Sequence, residues 1–139
     1  MKAIKNVRLE DHDYSNDGYY FVTIRTNYGK PYLIGHHDLV KDTIRDLKEY
    51  NGVNVDYYVV MRNHVHIILI LENCKLQLGE IVRRFKAVTS KISGIKLWQP
   101  NYHEHIIRNK RALKKIREYI VNNPLAEQIE FDQFYTDDA

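Results

Sequence analysis

The sequence predicts an α+β protein with a ferredoxin-like split βαβ sandwich, in which two helices cover one face of an antiparallel sheet and a further helix follows at the C-terminal end. The order of segments supports this prediction, because it reads strand, helix, strand, strand, helix, strand, helix. The length supports it too, since 139 residues without an internal repeat or a flexible linker suit one core. We therefore expect residues 1–139 to form a single domain.

Four segments are rich in β-branched and aromatic residues and are predicted to be strands. Residues 19–26 form the first strand, which ends at a turn-like segment with glycine and proline. Residues 55–61 and 64–71 form the second and third, and the short link between them predicts a hairpin. Residues 102–108 form a weaker fourth strand. The apolar run after His66 indicates that the third strand is central in the sheet.

Three segments carry apolar residues at helical spacing and are predicted to be helices. Residues 38–50 form the first, and Asn51 with Gly52 supplies its stop signal. Residues 78–92 form the second, whose apolar stripe contains Leu78, Ile81, Val82, Phe85, Val88 and Ile92. Residues 111–122 form the third, which ends before Pro124.

The bulk composition narrows the setting in which the protein works. Cys74 is the single cysteine, so an intramolecular disulfide and a cysteine-based zinc cluster are excluded. No segment approaches the roughly 20 apolar residues of a membrane span, and the N-terminus lacks the apolar core of a secretory signal. We expect a soluble, cytoplasmic protein. The formal net charge of +3 permits nucleic-acid binding without requiring it.

The basic residues are concentrated in one part of the chain. Residues 83–117 contain a single acidic residue, Glu104, whereas the tail at 127–138 is acidic. Such a basic segment is either a solvated helix face or a surface for phosphate groups. The candidate DNA contacts within it are Arg83, Arg84, Lys86, Arg108 and Lys114.

A histidine pair on the third predicted strand is the first candidate for chemistry. Side chains alternate across a strand, so His64 and His66 leave the same face about 6.6 Å apart, from where both imidazoles can reach one metal ion. Val65 points the other way, towards the core. The alternative is a pair of ordinary half-buried histidines bonded to backbone groups.

The other histidines carry weaker signals. His103 and His105 repeat the spacing, but they flank Glu104 on a weak strand that we expect at the sheet edge, where exposure is the expected outcome. His36 and His37 open a helix and face different directions, so we assign them no role.

The last predicted helix offers a nucleophile and a third ligand. Its buried stripe contains Leu113, Ile116 and Ile120, and Tyr119 lies beside this stripe. A phenol near a metal ion can act as a nucleophile, although simple packing is the alternative role for Tyr119. Asn123 lies one turn beyond Tyr119, and its amide oxygen suits a hard ion. Pro124 argues against a helical Asn123.

Four stretches in this order make the chain resemble the IS200-like (Y1, HUH-type) tyrosine transposases, and within them the REP-associated tyrosine transposases. The resemblance covers about residues 19–129. The stretches read YYVVMRNHVHIIL at 57–69, FKAVTS at 85–90, WQPNYHEHIIR at 98–108 and YIVNNPLA at 119–126.

The resemblance implies roles for the candidate residues. His64 and His66 would bind Mg²⁺ or Mn²⁺ with Asn123 as third ligand, and Tyr119 would attack a DNA phosphate. The attack would leave a 5′-phosphotyrosine and a free 3′ hydroxyl, so that a second hydroxyl could reverse the step and join strands. Arg62 stands where many relatives have proline, and it could add a phosphate contact.

The resemblance also implies the partner, which is single-stranded DNA, often folded as a hairpin. In the REP-associated branch the protein is expected to act as a monomer, whereas dimers occur in the broader family. Two other functions stay open from the sequence. One is a non-catalytic module that binds single-stranded nucleic acid on exposed aromatic residues. The other is a metal-dependent phosphodiesterase that uses water instead of Tyr119.

Overall fold

The computed structural model describes residues 16–122, which form a four-stranded antiparallel sheet with three α-helices. The strand order across the sheet is β2-β3-β1-β4. In chain order the elements are β1 (Gly18–Arg25), α1 (His37–Asp46), β2 (Val53–Val60), β3 (His64–Leu71), α2 (Leu78–Ser93), β4 (His103–Ile107) and α3 (Lys110–Val121). The predicted α+β sandwich with its extra helix is thereby confirmed.

The two faces of the sheet bury different helices. On one face, Val22, Ile67 and Leu69 pack with apolar residues of α1 and α2. On the other face, Phe21 and Ile68 pack with the apolar stripe of α3, and both side chains are fully buried. Because β1 and β3 are covered on both faces, their sequences are apolar at nearly every position. The prediction that the third strand is central is confirmed.

The boundary of α1 differs from its prediction. The α-helix ends at Asp46, and Leu47–Glu49 continue as a single 3₁₀ turn. The apolar spacing up to residue 50 therefore predicted a longer α-helix than the structure contains. Gly52 then reverses the chain with φ of 86°. A Cβ atom at this position would lie 2.7 Å from the Cα atom of Cys74, so both the dihedral angle and the close approach require glycine.

The buried face of α2 also differs in part from its prediction. Val88 and Ile92 are 41% and 65% exposed, so their assignment to the buried stripe was wrong. Thr89 is fully buried instead, where its hydroxyl accepts a hydrogen bond from the indole Nε1 of Trp98 at 2.7 Å. Apolar spacing could not reveal this contact, because it depends on Trp98 folding back from beyond the helix end at Gly94.

A short hairpin joins β2 to β3, as predicted from the two-residue link. The backbone N–H of Met61 donates to the carbonyl oxygen of His64 at 2.8 Å, which closes the turn. The backbone carbonyl of Asn63 accepts from the backbone N–H of Thr26 at 3.0 Å. The start of β3 is therefore fixed to the end of β1, and this end of the sheet carries the histidine pair. None of the helices between residues 16 and 122 has the length and apolar character that a membrane crossing requires.

Candidate active site

The predicted histidine pair lies on the α3 face of the sheet, near the start of β3. His64 and His66 are 8% and 4% exposed, and their ring centroids are 4.7 Å apart. Val65 between them is fully buried on the opposite face. The alternation predicted from strand geometry is confirmed, and the two imidazoles are close enough to share one ion.

Each imidazole is oriented by a hydrogen bond at its Nδ1 atom. His64 Nδ1 lies 2.8 Å from the side-chain oxygen Oδ1 of Asn63. An amide oxygen only accepts, so the N–H of His64 Nδ1 donates this bond. His66 Nδ1 lies 2.8 Å from the hydroxyl of Thr23, which is fully buried on β1. Partners of this kind fix the ring orientation of metal-binding histidines.

The buried environment keeps His66 neutral. Burial is the largest cause, followed by the charges of His64 and Arg25, and together they lower the pKa of His66 from 6.5 to about 3. A histidine must be neutral to bind a metal ion, so this imidazole is in its ligating form throughout the physiological pH range. Arg25 reaches this neighbourhood because it pairs in register with His64 across β1 and β3.

Tyr119 extends from α3 towards the histidine pair. Its hydroxyl lies 3.4 Å from His66 Nε2, which is a long separation for a hydrogen bond, and its ring packs edge-on against Phe21 and His66. Only 7% of Tyr119 is exposed. The predicted stripe positions it, because Leu113, Ile116 and Ile120 are buried beneath the same helix. Tyr119 thus packs in the core beneath α3 and also places its hydroxyl near His66.

The donor set fits a divalent cation in part. Two oriented imidazoles on one face of the sheet suit such an ion. Within residues 16–122, no group of three or more histidine, cysteine, aspartate or glutamate side chains is placed to hold a metal. A third protein ligand would therefore have to be of another type. The predicted third ligand, Asn123, lies outside the described residues.

An ion pair connects α3 to the sheet edge beside the site. Arg117 donates to both carboxylate oxygens of Asp56, at 2.7 Å from Nε and 2.8 Å from a terminal nitrogen. The same guanidinium lies 5.2 Å from the ring centroid of Tyr57. A bulge in β2 makes this possible, because residues 56 and 57 together face the single residue Ile68 of β3. Hydrogen bonding to Asp56 raises the pKa of Arg117, so the guanidinium stays charged.

The second histidine pair lies on the same sheet face, at the other side of β1. Thr23 pairs in register with both His66 on β3 and His103 on β4. The prediction that β4 is an edge strand is confirmed, and His103 is exposed. His105 is half-buried instead, because it pairs in register with Phe21 of the neighbouring strand β1.

The candidate DNA contacts fall into two groups by their environment. Arg62, Arg108 and Lys114 are exposed, and Lys114 lines a groove of about 330 Å³ beside Tyr57 and Arg117.

The other three candidates contact protein groups. Arg83 and Arg84 both donate to the carboxylate of Glu80, at 2.7–2.8 Å. Lys86 donates to the backbone carbonyls of Gln99, Pro100 and Asn101, and burial lowers its pKa. These bonds give the three cations structural partners, so the exposed group is better placed to meet a phosphate.

Sequence reasoning missed the residues that support the pair. Thr23, Arg25 and Asn63 all contact or influence the histidines. Thr23 and Arg25 lie outside the stretches that carry the family resemblance, and Asn63 lies within one of them without an assigned role. The two-residue spacing of Thr23 and Arg25 on a predicted strand indicated that they share a face. The register that sets Thr23 beside His66 depends on how the strands pair, which the spacing does not reveal.

The fold and the site define a class: a small α+β protein whose central strand presents two histidines to a tyrosine on the last described helix. The chain belongs to the IS200-like transposase family, because the family model "Transposase IS200 like" matches residues 14–123. The family places it among proteins of DNA transposition.

Two relatives agree with this assignment. An uncharacterized protein of Haemophilus influenzae is 38% identical over 96% of this chain and 93% of its own length. A REP-associated tyrosine transposase of Escherichia coli K12 is 26% identical over 81% of this chain and 69% of its own length.

Two solved structures share the fold. A REP-associated tyrosine transposase bound to a REP hairpin superposes with a TM-score of 0.73 at 24% identity, over 87% of this chain and 74% of that one. A crystal structure described as a transposase candidate of Deinococcus radiodurans R1 superposes with a TM-score of 0.59 at 22% identity, over 83% of this chain and 97% of that one.

Proposed function

We propose that the protein cleaves and rejoins single-stranded or hairpin DNA through a covalent 5′-phosphotyrosine intermediate at Tyr119. The observation that carries this proposal is the position of the Tyr119 hydroxyl, 3.4 Å from Nε2 of His66, whose ring lies 4.7 Å from that of His64. A nucleophile and two metal-ligand candidates on one sheet face are what a metal-assisted phosphoryl transfer needs. The family relationship supports the DNA substrate.

In the proposed reaction the Tyr119 oxygen forms a bond to the scissile phosphorus, and the bond from phosphorus to the 3′ oxygen breaks. The phenolic proton is lost to solvent, and the departing 3′ oxygen takes up a proton from solvent. The released strand therefore ends in a 3′ hydroxyl, and the other strand keeps its 5′ phosphate on the tyrosine. His66 Nε2 faces the phenol and can hold the phenolic hydrogen bond before DNA binds. Attack by a 3′ hydroxyl on the phosphotyrosine reverses the step, so strands are transferred without an external energy source.

The metal ion would be Mg²⁺ or Mn²⁺, held by His64 and His66 with Asn123 as the proposed third ligand. Such an ion supplies Lewis-acid polarisation of the phosphate and neutralises its developing charge. Asn63 and Thr23 orient the two rings for this binding. Exposed Arg62, Arg108 and Lys114 are proposed to hold the DNA backbone, and we propose a monomer as the working unit.

The experiment that tests the proposal is the formation of a covalent adduct. Purified protein is incubated with labelled single-stranded oligonucleotides, with and without a hairpin, in Mn²⁺ or Mg²⁺, and resolved on a denaturing gel. We expect a protein–DNA band that needs the divalent ion and disappears in Tyr119→Phe. Tyr28→Phe is the matched control, because Tyr28 is 85% exposed on a surface turn and should leave the band unchanged.

Each alternative function gives a different result in the same assay. Cleavage that survives in Tyr119→Phe would identify a phosphodiesterase that uses water. Binding without cleavage under all metal conditions would identify a non-catalytic module. Loss of the adduct in His64→Ala, with its circular dichroism spectrum unchanged, would connect the histidine pair to the reaction.

A further inference from the structure

A row of basic side chains runs along α1, outside the basic segment of residues 83–117. His37, Lys41 and Arg45 are spaced four residues apart, so they lie on one face of the helix over about 12 Å. The three side chains line a cleft of about 340 Å³, whose opposite wall is formed by Tyr58, Val59 and Val60 at the end of β2. We refer to this space as the α1 cleft.

The charges of α1 are sorted between two faces. Each basic residue is followed by an aspartate, at positions 38, 42 and 46. Successive residues of a helix are rotated by about 100°, so the carboxylates form a neighbouring stripe, and all three are exposed. His37 Nδ1 lies 3.8 Å from the carboxylate of Asp38, which is fully exposed. The residues that line the cleft in the described part of the chain include no carboxylate.

Arg45 is held in position at the cleft wall. Its Nε donates to the hydroxyl of Tyr58 at 2.9 Å. This bond uses a single N–H of a guanidinium that carries several, so further donors are available for an oxyanion. A side chain that is already oriented loses less conformational entropy when it binds a ligand.

The α1 cleft lies next to the candidate active site. Val59 pairs in register with His66, and Val60 pairs with Val65. β2 is the edge strand beside β3, so one strand, about 4.8 Å wide, separates the cleft on the α1 side of the sheet from the histidine pair on the α3 face. Exposed Arg62 follows in the turn between these strands. A DNA strand that reaches both the histidines and the basic row would therefore pass around the edge strand β2, beside Arg62.

We propose that the α1 cleft binds the phosphodiester backbone of the single strand that flanks the scissile phosphate. This inference rests on the proposed function, and it adds a substrate contact that neither the motifs nor the basic segment indicated. A row of about 12 Å is long enough to meet more than one phosphate of a single strand. Lys41 and Arg45 supply the positive charge in this row, and no carboxylate lines the described part of the cleft.

The test measures DNA binding to a Lys41→Ala/Arg45→Ala double variant by fluorescence anisotropy, in EDTA so that no cleavage occurs. Oligonucleotides extend the cleavage site by different lengths on the 5′ or the 3′ side. For the long members of one series, we expect affinity at low salt to fall about tenfold, and the slope of log affinity against log salt to decrease by about 1.4. Oligonucleotides too short to reach the cleft should bind the variant and the parent alike.

A Lys48→Ala/Lys75→Ala double variant is the matched control. It removes the same charge from exposed positions that do not line the cleft. An equal loss in this control would show that only net charge matters and would overturn the inference. A folded Lys41→Ala/Arg45→Ala variant with parental affinity for every length would also overturn it. In that case adduct formation by the parent protein would leave the proposed function standing. A parent that neither binds DNA nor forms an adduct would overturn both.

Discussion

His66 is held from three directions, and each contact has a separate consequence for chemistry. Thr23 bonds its Nδ1 atom, His64 packs against its ring at 4.7 Å, and the Tyr119 hydroxyl approaches its Nε2 atom. The Nδ1 contact fixes the ring, so that Nε2 points to the place where the nucleophile also points. A ring free to rotate would present either nitrogen, and the pair would bind an ion less tightly.

Thr23→Val should weaken metal binding without unfolding the protein. Valine has nearly the same shape as threonine, and loss of one hydrogen bond costs about 1 kcal/mol of stability. Because His66 loses its orienting partner, we expect the affinity for Mn²⁺ to fall roughly tenfold to a hundredfold, with a parallel loss of adduct formation.

Thr43→Val serves as the control for Thr23→Val, because the Thr43 hydroxyl donates to the Leu39 carbonyl within α1, away from the site. Calorimetric Mn²⁺ titration of both variants measures the difference. A parental affinity in Thr23→Val would show that the hydroxyl does not support the ligand.

The depressed pKa of His66 predicts how stability depends on pH. His66 titrates at about 3 in the folded protein but near its ordinary value of 6.5 when unfolded. Below pH 6.5 the unfolded chain binds the additional proton, so the free energy of unfolding decreases as the pH falls towards 3. Between pH 7 and pH 4.5 this group alone should cost about 2.5 kcal/mol.

Urea denaturation in EDTA at these two pH values measures that cost in the parent and in His66→Leu. Leucine cannot titrate, so the decrease in stability should be smaller in His66→Leu by this amount. Identical decreases in the two proteins would contradict the assigned pKa, and the acid sensitivity would then come from other groups.

Strand alternation and the apolar run were sufficient to predict that His64 and His66 share one face of a central strand. The same reasoning could not identify Asn63 or Thr23 as their partners, because each contact depends on a turn or on strand register. Tyr119 could be predicted from helix periodicity as a residue beside the buried stripe. Its distance from His66 depends on where α3 crosses the sheet, and no local pattern contains that information.

At the level of elements, α3 is the part whose placement decides whether the site is assembled. Its apolar stripe packs on Phe21 and Ile68, and the bidentate bond from Arg117 to Asp56 connects it to β2. The apolar contacts resist separation of the helix from the sheet but not sliding along it. The ion pair has directional hydrogen bonds, so it fixes the position of α3 along the sheet. Tyr119 lies two residues from Arg117 on the same helix, so the ion pair also fixes the position of Tyr119 relative to the sheet.

Arg117→Met should therefore slow adduct formation more than it weakens DNA binding. The two side chains of the ion pair are 22% and 13% exposed, and removal of one partner leaves Asp56 largely buried without its cation. We expect a loss of about 2 kcal/mol in stability, below the range for fully buried pairs. At saturating DNA the rate of adduct formation should fall, because the nucleophile is less well positioned.

Arg83→Met is the control for the loss of an ion pair, since Arg83 bonds Glu80 in an exposed pair on α2, where solvent screening leaves the pair little effect on stability. Stability comes from urea denaturation and the rate from single-turnover gel assays. If Arg117→Met and Arg83→Met behave alike, the ion pair does not position α3.

The bounds of an element could be predicted where the spacing of its own apolar residues decided them. They were wrong where a residue from another part of the chain packed against the element. The bounds of β3 matched residues 64–71, because its apolar run is unbroken. The stripe of α2 was wrong at Val88 and Ile92, since Thr89 is the buried residue near the end of that helix and bonds Trp98. The bulge at residues 56 and 57 could not be predicted, although it creates the contact with Arg117.

At the scale of the whole molecule, the net charge of +3 gives little indication of how DNA would be held. A cation that already bonds a protein group must break that ion pair or hydrogen bond before it can bind a phosphate. It therefore contributes less to DNA affinity than a cation exposed to solvent. Glu80 accepts from both Arg83 and Arg84, and these bonds lower its pKa to about 2. The basic segment therefore contains fewer available cations than its composition suggests.

This difference predicts that the exposed cations dominate DNA affinity. Arg108→Ala and Lys114→Ala should each reduce the magnitude of the salt slope by about 0.7, the value for one phosphate contact on a single strand. The affinity loss should be similar for DNA of unrelated sequence, since a phosphate contact carries no sequence information.

Arg83→Ala should change the slope less, because Glu80 already neutralises that side chain. Glu80→Gln should release both arginines and increase the affinity for DNA. Anisotropy titrations at several salt concentrations measure all four variants. Equal slopes for Arg83→Ala and Lys114→Ala would show that the ion pairs with Glu80 open on binding, and that both groups of cations contact the backbone.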